Sequence, residues 1–380
     1  MRLCNNAVLA ALVAGAALLL PAQTRPPTPP AKPAAQAKPA AQGTQTPAAP
    51  AAQTAPAQAP SLTEDRDPVR SPDLVAPESG AGPMQKKGEG YVLQANVEEV
   101  VLNCTVLDGT RIVQDLKQEN FQVLEDGVKQ SVISFQHTDL PVSIALVIDN
   151  SGSMYKKRPS VNKSALDLIQ ASNPKDEAFV VNFSDEAFID QEFTSDVNRL
   201  RDGLSHIDSR GGTALYDAVV ASADKLVADA KRPKQVIVLI TDGEDNASTL
   251  NLEQTIRRVQ ELSGPVIYTI GLLFGDEMSR AEVRHARRAL EMLSTETGGI
   301  AFFPKSMEDV DQIAAEVARD IRSQYTIGYH STRPTSEPGF RRVQVMVEQK
   351  GTTGKMTVRT RTGYFPVAPV AKKAKAGSGE

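Results

Sequence analysis

The amino-acid sequence predicts an α/β protein with a doubly wound, mostly parallel sheet, flanked by a β module built from the segments before and after it. Two continuous apolar runs, at 142–148 and 236–240, are typical of strands buried on both faces of a parallel sheet. Between residues 138 and 323 such runs alternate with amphipathic helical patterns, which indicates a doubly wound fold. In residues 89–137 and 324–366 the apolar residues follow an imperfect period of two, so we expect strands without helices there.

Within residues 138–323 the expected elements alternate regularly. Strands are expected at 142–148, 179–183, 236–240, 266–270 and 300–303. Helices are expected at 160–171, 196–207, 214–230, 252–262, 279–293 and 307–322. Because ligands bind beyond the carboxyl ends of the strands in such sheets, we expect functional residues in the loops that follow the strands.

The segments 89–137 and 324–366 contain only short β-prone runs. Asp126 and Gly127 separate two of these runs and predict a tight hairpin, because both residue types tolerate positive φ. A few short strands are marginal by themselves, so we expect the strands of the two segments to pair into one β module. The α/β domain would then be an insertion between the two halves of that module.

The two ends of the chain differ in composition from its middle. Residues 1–22 combine Arg2, an apolar run up to Leu20 and a small residue at the exit, which predicts a secretory signal peptide. The run is shorter than the ~20 residues that a transmembrane helix needs, and its retention as an anchor is the alternative. Residues 23–88 are rich in Pro and Ala and predict a disordered linker; residues 367–380 predict a disordered tail. We therefore expect a secreted, periplasmic or cell-envelope protein with no transmembrane span after signal cleavage.

The composition argues against several classes of function. Lys and Arg number 42 and Asp and Glu 46, for a net charge of -4, whereas a nucleic-acid partner requires clustered positive charge. The two cysteines are Cys4, in the predicted signal peptide, and Cys104. The mature chain is therefore expected to have neither an internal disulfide nor a Cys-rich zinc site. Motifs of the types GxSxG, HExxH, Walker A and GxGxxG do not occur.

Three separated segments carry oxygen-bearing side chains at positions where a ligand would bind. DNSGS at 149–153 follows one predicted buried strand, GGT at 211–213 opens a predicted helix, and TD at 241–242 ends another buried strand. The candidate ligands in these segments are Asp149, Ser151, Ser153, Thr213 and Asp242.

The candidate ligands offer carboxylate and hydroxyl oxygen without sulfur or imidazole. Hard oxygen ligands favour Mg²⁺, Mn²⁺ or Ca²⁺ over zinc or copper. Gly152 lets the backbone bend so that the serines on either side of it can turn toward one ion. Because few of the ligands are charged, such a cation would keep one position for an incoming carboxylate.

The pattern DxSxS, followed by a Thr after a Gly pair and by an Asp at a strand end, resembles the metal-ion-dependent adhesion site of von Willebrand factor type A domains. The resemblance covers about residues 138–323 and matches Asp149, Ser151, Ser153, Thr213 and Asp242 position by position. The flanking runs NFQVLEDG at 120–127 and RTGY at 361–364 are similar to an exported bacterial class called VWFA-related acidobacterial-type proteins. That second resemblance implies secretion and leaves the activity open.

The resemblance to A domains implies a non-enzymatic module that binds a partner protein. In this hypothesis the cation bridges to an Asp or Glu carboxylate of the partner. One alternative is a structural envelope scaffold in which the cation only stabilises the loops. Another is a metal-assisted hydrolase, for which Glu244 and Asp245 are the nearby candidates for a general base.

Overall fold

The computed structural model describes residues 99–275, 278–348 and 356–366, together with the backbone of four short strands before residue 93. The predicted signal peptide at 1–22 and the predicted tail at 367–380 lie outside the described residues.

The predicted linker at 23–88 is described only in part. Short strands occur in it at Leu62–Glu64, Asp67–Pro68 and Gln85–Lys87, so these parts of the segment have the regular structure that its composition does not predict. The remainder of the linker lies outside the described residues.

The strands in chain order are β1 (Leu62–Glu64), β2 (Asp67–Pro68), β3 (Gln85–Lys87), β4 (Gly90–Val92), β5 (Glu99–Asp108), β6 (Arg111–Ile112), β7 (Phe121–Glu125), β8 (Val128–Gln130), β9 (Val132–Gln136), β10 (Val142–Asp149), β11 (Glu177–Phe183), β12 (Ala187–Thr194), β13 (Lys234–Thr241), β14 (Val266–Gly271), β15 (Ala301–Phe302), β16 (Tyr325–His330), β17 (Arg341–Val347), β18 (Thr357–Arg359) and β19 (Gly363–Tyr364). The α-helices are α1 (Arg158–Ala171), α2 (Val197–Leu204), α3 (Leu215–Asp229), α4 (Leu252–Glu261), α5 (Arg280–Thr297) and α6 (Asp309–Arg322). Short 3-10 turns lie at Gln118–Asn120 and Gly152–Met154. Among the described residues, none of the helices combines the length and the apolar character that crossing a bilayer requires.

The central sheet has the strand order β15-β14-β13-β10-β11-β12-β1-β2. From β15 to β11 all neighbouring strands are parallel, and β12 runs antiparallel to β11. The predicted doubly wound, mostly parallel sheet is therefore confirmed. Charged residues such as Asp190 and Glu192 interrupt the apolar pattern of β12, which explains why the sequence does not predict this strand.

Helices cover both faces of the central sheet. Residues of α1, α2 and α6 share one apolar core with Ile144, Leu146 and Ile148 of β10. Residues of α3, α4 and α5 share the other core with Ala145 and Val147 of the same strand. Successive side chains of a strand point to opposite faces, so a strand between two helical layers must be apolar throughout.

The two flanking segments form one β module, as predicted. One of its sheets has the order β18-β5-β16-β9, with β6 beside β5, and the other has the order β19-β17-β7-β8. Each sheet combines strands from before and after the α/β domain, and both contribute to a third core that contains Cys104. Asp126 and Gly127 have φ values of 47° and 82° and form the predicted tight turn between β7 and β8.

A buried carboxylate near the end of α6 connects the α/β domain to the β module. Asp320 is 3% exposed. Its Oδ2 accepts a hydrogen bond of 2.5 Å from the hydroxyl of Tyr268 on β14, and its Oδ1 pairs with the guanidinium of Arg359 on β18. Gln324, in the short link to β16, donates to the same tyrosine hydroxyl at 3.1 Å. These contacts fix the end of α6 against a strand from each part of the protein.

We expect Asp320→Asn to lower the free energy of unfolding by about 3 kcal/mol, because it removes one charge of a largely buried pair. Glu316→Gln, at an exposed position one turn earlier on α6, is the control and should change stability by less than about 0.5 kcal/mol. Chemical denaturation of the purified variants measures both values. Equal stability of the two variants would show that the Asp320 contacts contribute nothing to the connection.

Candidate metal centre

The candidate site lies at the carboxyl edge of the central sheet. Asp149 is the last residue of β10 and Thr241 is the last residue of β13. The two strands are parallel neighbours, with Ile148 opposite Ile240, so Asp149 and Thr241 reach the same edge side by side. Asp242 follows directly.

The carboxylate of Asp149 is fully buried and held on both oxygens. Its Oδ1 accepts a hydrogen bond of 2.8 Å from the backbone N–H of Ser151, and its Oδ2 accepts one of 2.6 Å from the hydroxyl of Thr241. Burial raises the pKa of Asp149 to about 6, whereas the hydrogen bonds from Thr241 and Ser151 act in the opposite direction. A positive charge nearby would offset the cost of ionising this carboxyl group.

Two hydroxyls and a second carboxylate lie close together in the same site as Asp149. Ser151 Oγ lies 3.2 Å from Ser153 Oγ, and Ser153 Oγ donates to Asp242 Oδ1 at 2.7 Å. Adjacent oxygen ligands of an octahedral Mg²⁺ with bonds of ~2.1 Å lie ~3.0 Å apart. The two measured separations fall on either side of this value, so the spacing of these oxygens fits a small divalent cation.

Thr213 approaches the site from the loop before α3. Its hydroxyl oxygen would lie 3.6 Å from a Cβ added at Gly243, the residue after Asp242. Its backbone is held by Asn246, whose side-chain oxygen accepts from the Thr213 N–H at 2.9 Å and whose own N–H donates to the Thr213 carbonyl at 3.1 Å. The side chain therefore faces the loop that follows Asp242.

Two cationic side chains at the start of α1 complete the site. Lys157 Nζ lies 2.6 Å from Asp242 Oδ2. Arg158 is fully buried and donates to the Asp149 carbonyl at 3.3 Å, to Asn182 Oδ1 at 2.8 Å and to the Leu204 carbonyl at 3.1 Å. Burial lowers the pKa of Arg158 to about 10, so it stays cationic at neutral pH.

The donor set is chemically uniform. Two carboxylates and three hydroxyls provide hard oxygen, which suits Mg²⁺, Mn²⁺ or Ca²⁺. In the part of the chain that the structure describes, no group of three or more His, Cys, Asp or Glu side chains is arranged to hold a metal ion. A cation at this edge would therefore depend on the serine and threonine hydroxyls as much as on the carboxylates.

The two residues considered as general bases are engaged elsewhere. Glu244 is paired with His285 of α5. Asp245 accepts hydrogen bonds from the backbone of Tyr216 at 3.1 Å and from the hydroxyl of Ser248 at 2.5 Å. These contacts attach the loop to α5 and to the start of α3 and give both carboxylates a structural role.

Sequence reasoning missed three residues that shape the site: Thr241, Lys157 and Arg158. Thr241 precedes the candidate ligand Asp242 in the chain, and its position at the end of a buried strand is a signal that could have found it. The two cationic residues have no such signal, because charged side chains at the start of a helix are usually solvated.

The comparison with protein-family models supports the same domain. Residues 144–244 match the model of the von Willebrand factor type A domain. The chain contains a von Willebrand factor type A domain. The matched range includes all three segments with candidate ligands and ends two residues after Asp242.

Relatives of this A domain protein occur among animal proteins. The chain is 26% identical to inter-alpha-trypsin inhibitor heavy chain H4 of Homo sapiens over 212 residues, which are 51% of this chain and 22% of that protein. It is 25% identical to the Bos taurus protein over 218 residues, or 52% and 23% of the two chains. The chain thus spans less than a quarter of the length of these relatives.

Two of the solved structures to which the chain is similar come from bacteria. A von Willebrand factor type A protein from Catenulispora acidiphila is 13% identical, covering 71% of this chain and 75% of that chain with a TM-score of 0.41. The von Willebrand factor domain of a type V pilus tip protein from Porphyromonas gingivalis is 15% identical, covering 48% and 97% of the two chains with a TM-score of 0.38.

We expect Thr241→Val to lower the free energy of unfolding of the metal-free chain by about 2 kcal/mol, because it removes a hydroxyl that donates to a buried carboxylate. Thr269→Val on β14 is the matched control. Thr269 is equally buried, but its hydroxyl contacts neutral partners, the Leu290 carbonyl and the Ser294 hydroxyl. Its replacement should cost about 1 kcal/mol. Denaturation in EDTA measures the difference, and equal losses would contradict a special role for Thr241.

Proposed function

We propose that this chain is an exported, adhesion-type module that recognises a partner protein through a divalent cation. Asp149, Ser151, Ser153, Thr213 and Asp242 would hold the cation, with Mg²⁺ as the first candidate and Mn²⁺ or Ca²⁺ as alternatives. The single observation that carries the proposal is the row of side-chain oxygens from Ser151 through Ser153 to Asp242, whose separations of 3.2 and 2.7 Å lie close to those around an octahedral hard ion.

The chemistry that the cation would supply is direct coordination of an Asp or Glu carboxylate from the partner. The chain's own residues orient and balance the site. Thr241 and the Ser151 N–H hold the Asp149 carboxylate, and Asn246 holds the backbone of Thr213. Because these supports belong to strand ends and to short loops joined to them, the ligand oxygens are kept in place before a partner arrives.

The contacts of the carboxylates next to the site favour binding over hydrolysis. Metal-assisted hydrolysis requires a base or acid positioned beside the bound water. The nearby candidates, Glu244 and Asp245, are occupied by His285 and by the start of α3. We therefore propose that the module has no enzymatic activity.

Partner recognition is tested by affinity capture from native cell envelopes with the purified chain as bait, in Mg²⁺ and in EDTA. The wild-type chain should retain a partner only in Mg²⁺. Asp149→Ala and Thr213→Ala should abolish that retention, since each removes a ligand oxygen.

Asp167→Ala is the control, because this α1 carboxylate has a side chain that is 44% exposed and is paired with Lys163 outside the site. It should behave as the wild type. Undiminished capture in EDTA, or capture by Asp149→Ala at the wild-type level, would refute a metal-dependent interaction.

Thermal unfolding separates the binding module from the structural scaffold. A cation at about 100 times its Kd should stabilise the wild-type chain by about 2.7 kcal/mol and leave Asp149→Ala unchanged. Under the scaffold alternative, EDTA lowers the melting temperature while partner capture is the same with and without Mg²⁺. If no cation concentration shifts the melting temperature of the wild-type chain, both the binding module and the structural scaffold are contradicted.

A further inference from the structure

Lys157 forms an ion pair with one oxygen of Asp242, the second carboxylate of the candidate site. Its ammonium lies 2.6 Å from Asp242 Oδ2, while the other oxygen of Asp242 accepts from Ser153. The side chain of Asp242 is fully buried and that of Lys157 is 14% exposed. The ion pair is therefore largely shielded from water, which strengthens the attraction between the two groups.

Hydrogen bonds fix the backbone of Lys157, whereas its ammonium lies at the end of a long side chain. Its N–H donates to the Met154 carbonyl at 2.8 Å, and its carbonyl accepts from Val161 at 3.1 Å. It is also the N-cap residue of α1, where the helix dipole disfavours positive charge. The long, flexible stem of a lysine allows its ammonium to leave a partner without any change in the backbone.

Each carboxylate of the site has a cationic side chain nearby. Arg158 donates to the backbone carbonyl of Asp149, and Lys157 pairs with the carboxylate of Asp242. Arg158 is fully buried and bonded to three parts of the chain, so it cannot move away. A divalent cation that takes Asp242 as a ligand meets the Lys157 ammonium at the same carboxylate, and two like charges this close repel each other strongly.

We infer that Lys157 is a built-in competitor of the divalent cation: its ammonium holds Asp242 until the cation displaces it. This inference rests on the proposed function and adds a regulatory property to the same site. The competition sets the cation concentration at which the site loads, because part of the binding free energy is used to release the lysine.

The test is direct binding of Mn²⁺ to the purified full chain, measured by titration calorimetry and by electron paramagnetic resonance. Lys157→Met keeps the length of the stem and removes the charge, and it should bind Mn²⁺ about tenfold tighter than the wild type or better. Lys157→Gln is a second neutral variant in case the first folds poorly. Lys156→Met makes the same charge change at the neighbouring exposed lysine and should bind like the wild type.

A second measurement follows the state without metal. In EDTA, Lys157→Met should melt at a lower temperature than Lys156→Met, because the buried Asp242 loses a cationic neighbour. In saturating Mn²⁺ that difference should shrink.

The Mn²⁺ titration tests the role of Lys157 and the proposed metal site separately. Tighter Mn²⁺ binding by the neutral variants, including binding that appears only in them, supports the inference. Equal or weaker binding by folded Lys157→Met and Lys157→Gln overturns it while the metal site survives. If no chain binds Mn²⁺, neutral variants included, the proposed metal site fails and the inference fails with it.

Discussion

The register between β10 and β13 is the constraint on which the candidate site depends. Pairing of Ile148 with Ile240 brings Asp149 beside Thr241 at one edge of the sheet, where the hydroxyl of Thr241 can reach the carboxylate. A shift by one residue would turn the side chains of one strand to the opposite face and separate the two groups. The register is maintained by apolar side chains inside the domain, such as Leu146 in one core and Val147 in the other. The geometry of the polar edge is therefore a consequence of apolar packing inside the domain.

Charge compensation is the second requirement of this edge. Buried carboxylates are stable only if cations or hydrogen-bond donors replace the water that they lose. Here both cationic side chains come from two consecutive residues at the beginning of α1, so one helix start supplies the compensation for both strand ends. A cation that binds here, as we propose, would have to displace the Lys157 ammonium from Asp242.

The A domain is inserted into the β module, and the two parts are not independent. The strands on both sides of the insertion pair within the same two sheets, so the ends of the A domain are held together by the module. Asp320 on α6 contacts Tyr268 of the A domain and Arg359 of the module, which makes the end of this helix common to both. Any displacement of α6 along its axis would have to break these buried contacts. The position of the last helix of the A domain is therefore coupled to the packing of the module.

The sequence by itself determined the fold class, the order of most elements, the Asp126-Gly127 hairpin and five candidate ligands. These features depend on local patterns: the period of apolar residues, the tolerance of Asp and Gly for positive φ, and a motif at strand ends. That Asp149, Ser151, Ser153 and Asp242 form one connected run of hydrogen bonds is visible only in the structure, and that they bind a metal stays a prediction.

Only the tertiary structure decided which charged side chains are buried and what they contact. Arg158 is buried because Asn182 and Leu204, from distant parts of the chain, supply acceptors for its guanidinium. Asp320 is buried because Tyr268 and Arg359, also distant in sequence, supply donors for its carboxylate. Strand β12 was missed for a different reason: its partner β11 is close in sequence and Ala187 and Ile189 are buried, but charged residues interrupt its apolar pattern. Contacts between residues far apart in sequence compensate the cost of burying charge, and no local pattern records them.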